Sequence, residues 1–172
     1  MKKWICLILC GLFLLTGCGG RSMPEGVPED FAVYYAMWTD EDQPNVLDTY
    51  EGYIQKDLIR NGIAKTEYTP PDEEIVAIYE KITELELTSF PSDVRAEDEI
   101  IQPMTYFEVR FTMNGETYEI LADTTITQST WLNENIKAEE AEKLNEFCRF
   151  MAELMIETEE YKSLPDSEGG YM

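Results

Sequence analysis

Residues 106–123, with the sequence YFEVRFTMNGETYEILAD, decide the fold. Apolar residues occupy every second position over 107–111 and again over 118–122. The dipeptide Asn114-Gly115 separates the two runs. Asn-Gly between two alternating runs indicates a type I′ turn, because both central residues of that turn adopt positive φ. The stretch therefore predicts an antiparallel hairpin with one apolar face.

The length of the turn also sets the register of this hairpin. The predicted cross-strand pairs are Thr112 with Thr117, Phe111 with Tyr118, and Arg110 with Glu119. Since side chains alternate between the faces of a strand, the aromatic pair lies on one face and the charged pair on the other. The apolar alternation and the register set by the turn thus both predict a sheet with one buried face.

Four further segments complete the predicted fold. The run FAVYYAMW at 31–38 predicts one strand, and alternating polar positions predict a second over 49–59. A capping box at Thr69 opens a predicted helix over 70–86, and a longer helix is predicted over 138–161. We therefore expect an α+β domain with a ββα-ββα plan, in which an antiparallel sheet carries two helices packed on one face.

The composition is strongly acidic and contains no histidine. The 172 residues include 13 Lys and Arg against 35 Asp and Glu, a formal charge of −22. This balance argues against nucleic acid as a partner, because few cations could replace the counterions of a phosphate backbone. The lack of histidine removes the commonest general base and zinc ligand, and with them every Ser-His or Cys-His nucleophile.

The N-terminus has the pattern of a secretory signal peptide. Lys2 and Lys3 precede an apolar run over 4–15, which is too short to span a bilayer as a helix. The run ends in the sequence LTGC, which resembles the lipobox of bacterial lipoproteins. This resemblance implies a diacylglyceryl group on the sulfur of Cys18 and cleavage just before it. An ordinary signal peptide that contains a cysteine is the alternative.

These features predict three segments and a location. We expect a signal peptide over 1–17, a lipidated cysteine and flexible tether over 18–29, and a single domain with a polar C-terminal tail over 30–172. Two acyl chains would hold the protein at the extracytoplasmic face of the cell membrane. Loss of two lysines with the signal peptide takes the charge from −22 to −24, so anionic head groups should repel the domain.

Cys148 is the one thiol that remains if the signal peptide is removed and Cys18 is acylated. It falls in the apolar stripe of the helix predicted over 138–161. Because no histidine could activate it, we interpret Cys148 as a small buried apolar side chain and not as a nucleophile.

Four segments of the chain carry a resemblance to a known group of proteins. They are NVLDTYEGYIQKDL at 45–58, EIVAIYEKI at 74–82, the YFEV…NG hairpin, and EYKSLPDSEGGYM at 160–172. In this order they resemble a family of small, uncharacterised lipoproteins of Gram-positive bacteria. The resemblance implies a lipid-anchored, single-domain protein and implies no catalytic residue.

An acidic loop suggests a comparison with calcium-binding loops. If Asp40 is taken as position 1 of an EF-hand loop, acids occupy the ligand positions 1, 3, 9 and 12. These acids are Asp40, Asp42, Asp48 and Glu51. Pro44 has no side-chain ligand to offer at the fifth position, and the flanking segments predict strands where an EF-hand has helices. We therefore predict a solvated loop and no metal ligands, with loose calcium binding as the alternative.

Six polar residues form the candidate binding site: Asp40, Asp42, Asp48, Thr49, Lys56 and Asp57. Adjacent residues on a strand point to opposite faces, so Lys56 and Asp57 cannot both serve one site without a bulge. The structural alternative is an aspartate that caps a turn and a lysine that pairs with neighbouring acids.

Two functions from different classes remain. The first is a non-enzymatic binding domain for a cell-envelope protein, peptide or glycan, in which Trp38 and Trp131 line a groove, although such rings more often pack in cores. The second is a hydrolase that uses carboxylates alone. No catalytic residue and no cofactor is predicted. A cleft with two carboxylates of opposed pKa would favour the enzyme, whereas an aromatic groove without such a pair would favour the binding domain.

Overall fold

A computed structural model describes residues 23–39, 42–96, 103–127, 134 and 136–171. The strands are β1 Ala32–Trp38, β2 Asn45–Asp48, β3 Tyr53–Asp57, β4 Ile63–Glu67, β5 Tyr106–Met113 and β6 Glu116–Asp123. The helices are α1 Asp72–Glu84, α2 Ala138–Glu157 and α3 Glu159–Ser163, and short 3-10 turns span Leu87–Ser89 and Thr124–Thr127.

The strands form one sheet in the order β4-β3-β2-β1-β5-β6, and every neighbouring pair is antiparallel. With its two main helices α1 and α2, the domain has the predicted α+β fold. The β5–β6 register is also as predicted, since Arg110 pairs with Glu119 and Thr112 with Thr117. At the turn between them, Asn114 and Gly115 have φ of 55° and 81°, as a type I′ turn requires.

The strand predicted over 49–59 begins too early, because a turn spans 49–52 and β3 begins at Tyr53. The Asp48 carboxylate accepts hydrogen bonds from the backbone N–H groups of Tyr50 and Glu51, and Gly52 has a φ of 71°. An aspartate that caps two amides, followed by a glycine with positive φ, favours a tight turn over an extended strand. The strands β2 and β4 lie outside both predicted strands, so the first half of the chain contains four strands where two were predicted.

Both main helices pack on the same face of the sheet. A single hydrophobic core joins α1, α2 and the sheet residues Val33, Tyr35, Leu47, Ile54, Val109, Phe111 and Ile120. The hydroxyl of Tyr35 donates a buried hydrogen bond of 3.0 Å to the backbone carbonyl of Cys148 on α2. This contact fixes the second helix to the middle of the sheet.

The ends of the predicted helices require two corrections. The capping box predicted at Thr69 does not form, because Pro71 is the N-cap of α1 and provides no side-chain hydrogen bond. The long second helix stops at Glu157, since Thr158 is extended and its hydroxyl donates to the carbonyl of Met155. The same hydroxyl accepts from the backbone N–H of Tyr161, which starts α3 in a new direction.

Two observations concern the part of the chain before β1. Val27, in the segment expected to be a flexible tether, is buried in the core, so ordered packing begins within that segment. Of the helices in the described ranges, none combines the length and the apolarity needed to cross a membrane. The predicted signal peptide and Cys18 lie outside the described residues.

Candidate functional site

A notch opens at the end of the sheet where β2 begins. Asn45 is the first residue of β2. The neighbouring strands β1 and β3 each continue one residue beyond the level of Asn45. Trp38 ends β1 on one side of the notch, and Asp57 ends β3 on the other. Trp38 and Asp57 therefore occupy equivalent register positions, each one residue beyond Asn45. Because side chains alternate along a strand, these two side chains extend from the same face of the sheet.

Asn45 joins the two sides of the notch to α3. Its side-chain oxygen accepts a hydrogen bond of 3.0 Å from the backbone N–H of Asp57. The same oxygen accepts a second hydrogen bond, of 2.9 Å, from the hydroxyl of Tyr161 on α3. Because β2 begins at Asn45, the backbone N–H of Asp57 has no strand partner on β2, and the Asn45 side chain takes that place. The same side chain holds the ring of Tyr161 beside Asp57.

The C-terminal tail over 164–171 closes the outer side of the notch. The hydroxyl of Tyr171 donates to the carboxylate of Asp57 at 2.6 Å, and that of Ser167 donates to the backbone carbonyl of Asp57 at 2.5 Å. The backbone N–H of Glu168 donates to the carbonyl of Leu58 at 3.2 Å. Three hydrogen bonds therefore hold the tail against the end of β3.

The notch and the tail together enclose a cleft of about 260 Å³. Its lining residues are Met37, Trp38, Thr39, Asn45, Asp57, Ile59, Thr105, Tyr161, Ser167 and Tyr171. Three of these residues are aromatic and one is charged. Among the described residues, the cleft is therefore an aromatic pocket with one carboxylate.

Asp57 is the buried charge of this cleft, with 6% of its surface exposed. Its carboxylate accepts hydrogen bonds from the backbone N–H of Ile59, at 2.6 Å, and from the hydroxyl of Tyr171. No lysine or arginine within the described ranges forms an ion pair with it. Burial, and then the negative charge of Asp57, raise the pKa of Tyr161, so the phenol beside the carboxylate stays protonated at neutral pH.

The aromatic rings of the cleft have fixed positions. Trp38 stacks on its cross-strand partner Tyr106, with ring centroids 5.9 Å apart and an interplanar angle of 22°. The ammonium of Lys56 lies 5.0 Å from the centroid of the Tyr161 ring. Lys56 and Asp57 follow each other on a regular strand, and of the two only Asp57 lines the cleft.

The other predicted site residues do not meet at this cleft. Asp48 caps the turn after β2, and the hydroxyl of Thr49 accepts a hydrogen bond of 2.8 Å from the backbone N–H of Val33. Both residues therefore have structural roles at the opposite end of β2. Asp42 is exposed, and Asp40 lies outside the described residues. The described ranges contain no group of three or more acids, cysteines or histidines that could hold a metal ion.

A second polar cluster lies on the sheet face opposite the helices. The guanidinium of Arg110 lies 4.7 Å from the ring centroid of Tyr34 and 5.7 Å from that of Tyr50. Burial, and then the charge of Glu108, raise the pKa of Tyr34 to about 12. Through these contacts Arg110 on β5 connects to Tyr34 on β1 and to Tyr50 in the turn after β2.

Cys148 is fully enclosed by the core, and burial raises the pKa of its thiol to about 12. A thiol with this pKa is not ionised at neutral pH and is a poor nucleophile. The prediction that Cys148 is a buried apolar side chain is confirmed.

Sequence reasoning missed Tyr161 and Tyr171. The sequence pattern places Tyr161 at the end of a continuous helix and Tyr171 in a polar tail. Both rings belong to the segment EYKSLPDSEGGYM, one of the four that carry the family resemblance. An aromatic residue in an otherwise polar, glycine-containing tail is the signal that could have indicated a docking contact.

Comparisons with known proteins add no family to this description. The chain matches no protein-family model, and no curated protein is significantly similar to it.

Proposed function

We propose that this protein is a membrane-anchored, extracytoplasmic lipoprotein whose domain is a non-enzymatic binding domain. The anchor is the lipid expected on Cys18, and the binding site is the cleft between Trp38 and Asp57. Its partner is a component of the cell envelope, a protein, peptide or glycan. Membership of the small Gram-positive lipoproteins that the sequence resembles belongs to the same proposal.

The observation that carries the proposal is the composition of the cleft. It brings together three aromatic residues, Trp38, Tyr161 and Tyr171, around one carboxylate. Hydrolysis by carboxylates alone requires two of them on opposite sides of the scissile bond. The described lining contains only Asp57, which favours binding over the hydrolase alternative. The calcium alternative stays open, since the described ranges hold no group of three acids that could bind a metal ion but Asp40 lies outside them.

A retention experiment tests the proposal. The full chain is immobilised in detergent, and a Gram-positive cell-envelope fraction is passed over it and analysed for retained protein, peptide and glycan. Trp38→Ala removes a ring from the cleft, whereas Tyr50→Ala removes a ring from the sheet face outside it. We expect the wild type and Tyr50→Ala to retain the same component and Trp38→Ala to lose it. Equal retention by both variants, or no retention by the wild type, contradicts the proposal.

A further inference from the structure

The cleft has a chemistry that favours one class of ligand. We propose that it binds an organic ammonium group, in which the positive charge is carried by an alkylated nitrogen. This inference rests on the proposed binding function and specifies the ligand of the same cleft.

Most of the hydroxyl donors in the described lining of the cleft are already used within the protein, which leaves few of them for a sugar. Thr39 pairs with Thr105, with the two hydroxyl oxygens 3.3 Å apart. The Asn45 side-chain oxygen accepts two hydrogen bonds, and the hydroxyls of Tyr161, Ser167 and Tyr171 all donate within the protein. A polyhydroxylated ligand depends on unsatisfied partners for its specificity. A quaternary ammonium group has no donors or acceptors and needs none.

The charge of Asp57 also favours a cationic ligand. Its carboxylate is buried and receives two hydrogen bonds, yet no cation within the described ranges forms an ion pair with it. Buried charges in proteins are usually compensated by an opposite charge, because desolvation is costly. A cationic ligand in the cleft would supply the missing compensation.

The aromatic rings of the cleft favour the same class of ligand. Trp38, Tyr161 and Tyr171 line the same cleft as the carboxylate. Electron-rich ring faces attract ammonium groups, and rings grouped around a cation are the usual recognition site for quaternary ammonium ligands. The contact of Lys56 with the Tyr161 ring, at 5.0 Å, shows the same attraction within the protein.

Size and net charge agree with this class. Pockets for drug-sized molecules occupy roughly 300–1,000 Å³, so a cleft of about 260 Å³ suits a head group or a side chain. The chain has a formal charge of −22, and a field of that sign attracts cations and repels anions. An anionic envelope polymer would therefore approach less readily than a cationic group.

Choline and its uncharged carbon isostere, in which carbon replaces the nitrogen, form a matched pair of probes. The protein is the full chain in a non-ionic detergent with Trp4→Phe and Trp131→Phe, so that Trp38 is the only fluorescent tryptophan. We expect a saturable change in Trp38 emission with choline and binding of the isostere weaker by about tenfold or more. N-acetyl-lysinamide is the third probe. Saturable binding of either ammonium probe supports the inference, and binding of neither overturns it.

Two charge variants complete the experiment. Asp57→Asn removes the carboxylate of the cleft, and Glu119→Gln removes one negative charge from an exposed position on β6. We expect Asp57→Asn to weaken choline binding by about tenfold and Glu119→Gln to leave it unchanged. Equal binding of choline and its isostere, or equal effects of the two variants, overturns the inference.

Neutral methyl glycosides separate this inference from the proposed function. If a glycoside perturbs Trp38 saturably and the ammonium probes do not, the inference fails while the binding function stands. If no probe perturbs Trp38 and the retention experiment also fails, both proposals are contradicted.

Discussion

The hydroxyl of Tyr171 donates a hydrogen bond of 2.6 Å to the carboxylate of Asp57, across 114 positions of the sequence. This bond connects the last described residue of the chain to the last residue of β3. Together with the Ser167 contact, it makes the C-terminal tail a wall of the cleft. The tail is therefore part of the folded domain, and the cleft depends on its attachment.

Tyr171→Phe should destabilise the domain measurably. The substitution keeps the ring but leaves the buried Asp57 carboxylate without one of its two donors, which costs about 1–2 kcal/mol in the free energy of unfolding. Tyr118→Phe is the matched control, since the Tyr118 hydroxyl donates to the exposed Glu116 carboxylate and its loss should cost less than about 0.5 kcal/mol. Urea denaturation measures both. Equal stabilities of the two variants would show that the tail contact does not contribute to folding.

The turn between β5 and β6 gives a second prediction. A side chain at Gly115 meets no atom within 4 Å, so the cost of substitution comes from its φ of 81° alone. We expect Gly115→Val to lower the free energy of unfolding by about 1–3 kcal/mol. Gly115→Asn, which tolerates this conformation, should cost less. If thermal denaturation finds both variants as stable as the wild type, the type I′ assignment is incorrect.

Sequence alone predicted this hairpin because all of its determinants are local. Asn114-Gly115 fixes the turn, and the alternation on both sides fixes the register without any contact from elsewhere. The prediction failed at the start of 49–59 because a run of alternating residues does not reveal that its first four positions form a turn between β2 and β3. The deciding features are the carboxylate of Asp48, which bonds to the backbone amides of the turn, and the positive φ of Gly52.

The cleft was only partly predictable for a different reason. Asp57 and Trp38 were both identified from the sequence as candidate binding groups, but nothing local places them on either side of Asn45. Their proximity depends on the starting point of β2 and on the pairing of three strands. The contributions of Tyr161 and Tyr171 come from more than a hundred residues further along the chain. Such contacts leave no periodic pattern in the sequence.

The buried state of Cys148 predicts selective protection from thiol reagents. Burial raises the pKa of its thiol to about 12, so at neutral pH it is both uncharged and inaccessible. We expect iodoacetamide to leave Cys148 unmodified in the folded protein and to modify it fully in denaturant, as read by mass spectrometry. Cys148→Ala, as a control, should remove the modified peptide. Rapid modification of Cys148 in the native protein would contradict its position in the core.

The proposed anchor predicts the behaviour of a Cys18 variant. The sequence LTGC after an apolar run implies acylation of the Cys18 sulfur, and two acyl chains give lasting attachment to a bilayer. Cys18→Ser should abolish labelling by radioactive palmitate and slow the removal of the signal peptide. Cys10→Ser, within the predicted signal peptide, should leave labelling intact. Continued labelling of the Cys18 variant would exclude the lipoprotein assignment.

The central claim is that the cleft between Trp38 and Asp57 is the binding site, and photo-crosslinking in living cells tests it most directly. A benzophenone amino acid replaces Trp38 in one protein and Tyr50 in another, so that both carry the same reactive group on the same domain. Ultraviolet irradiation should join the group at position 38 to one specific envelope component, and Asp57→Asn in the same chain should reduce that product. The group at position 50 should give only weak, unspecific products. A specific product at position 50 with none at position 38 would contradict the account.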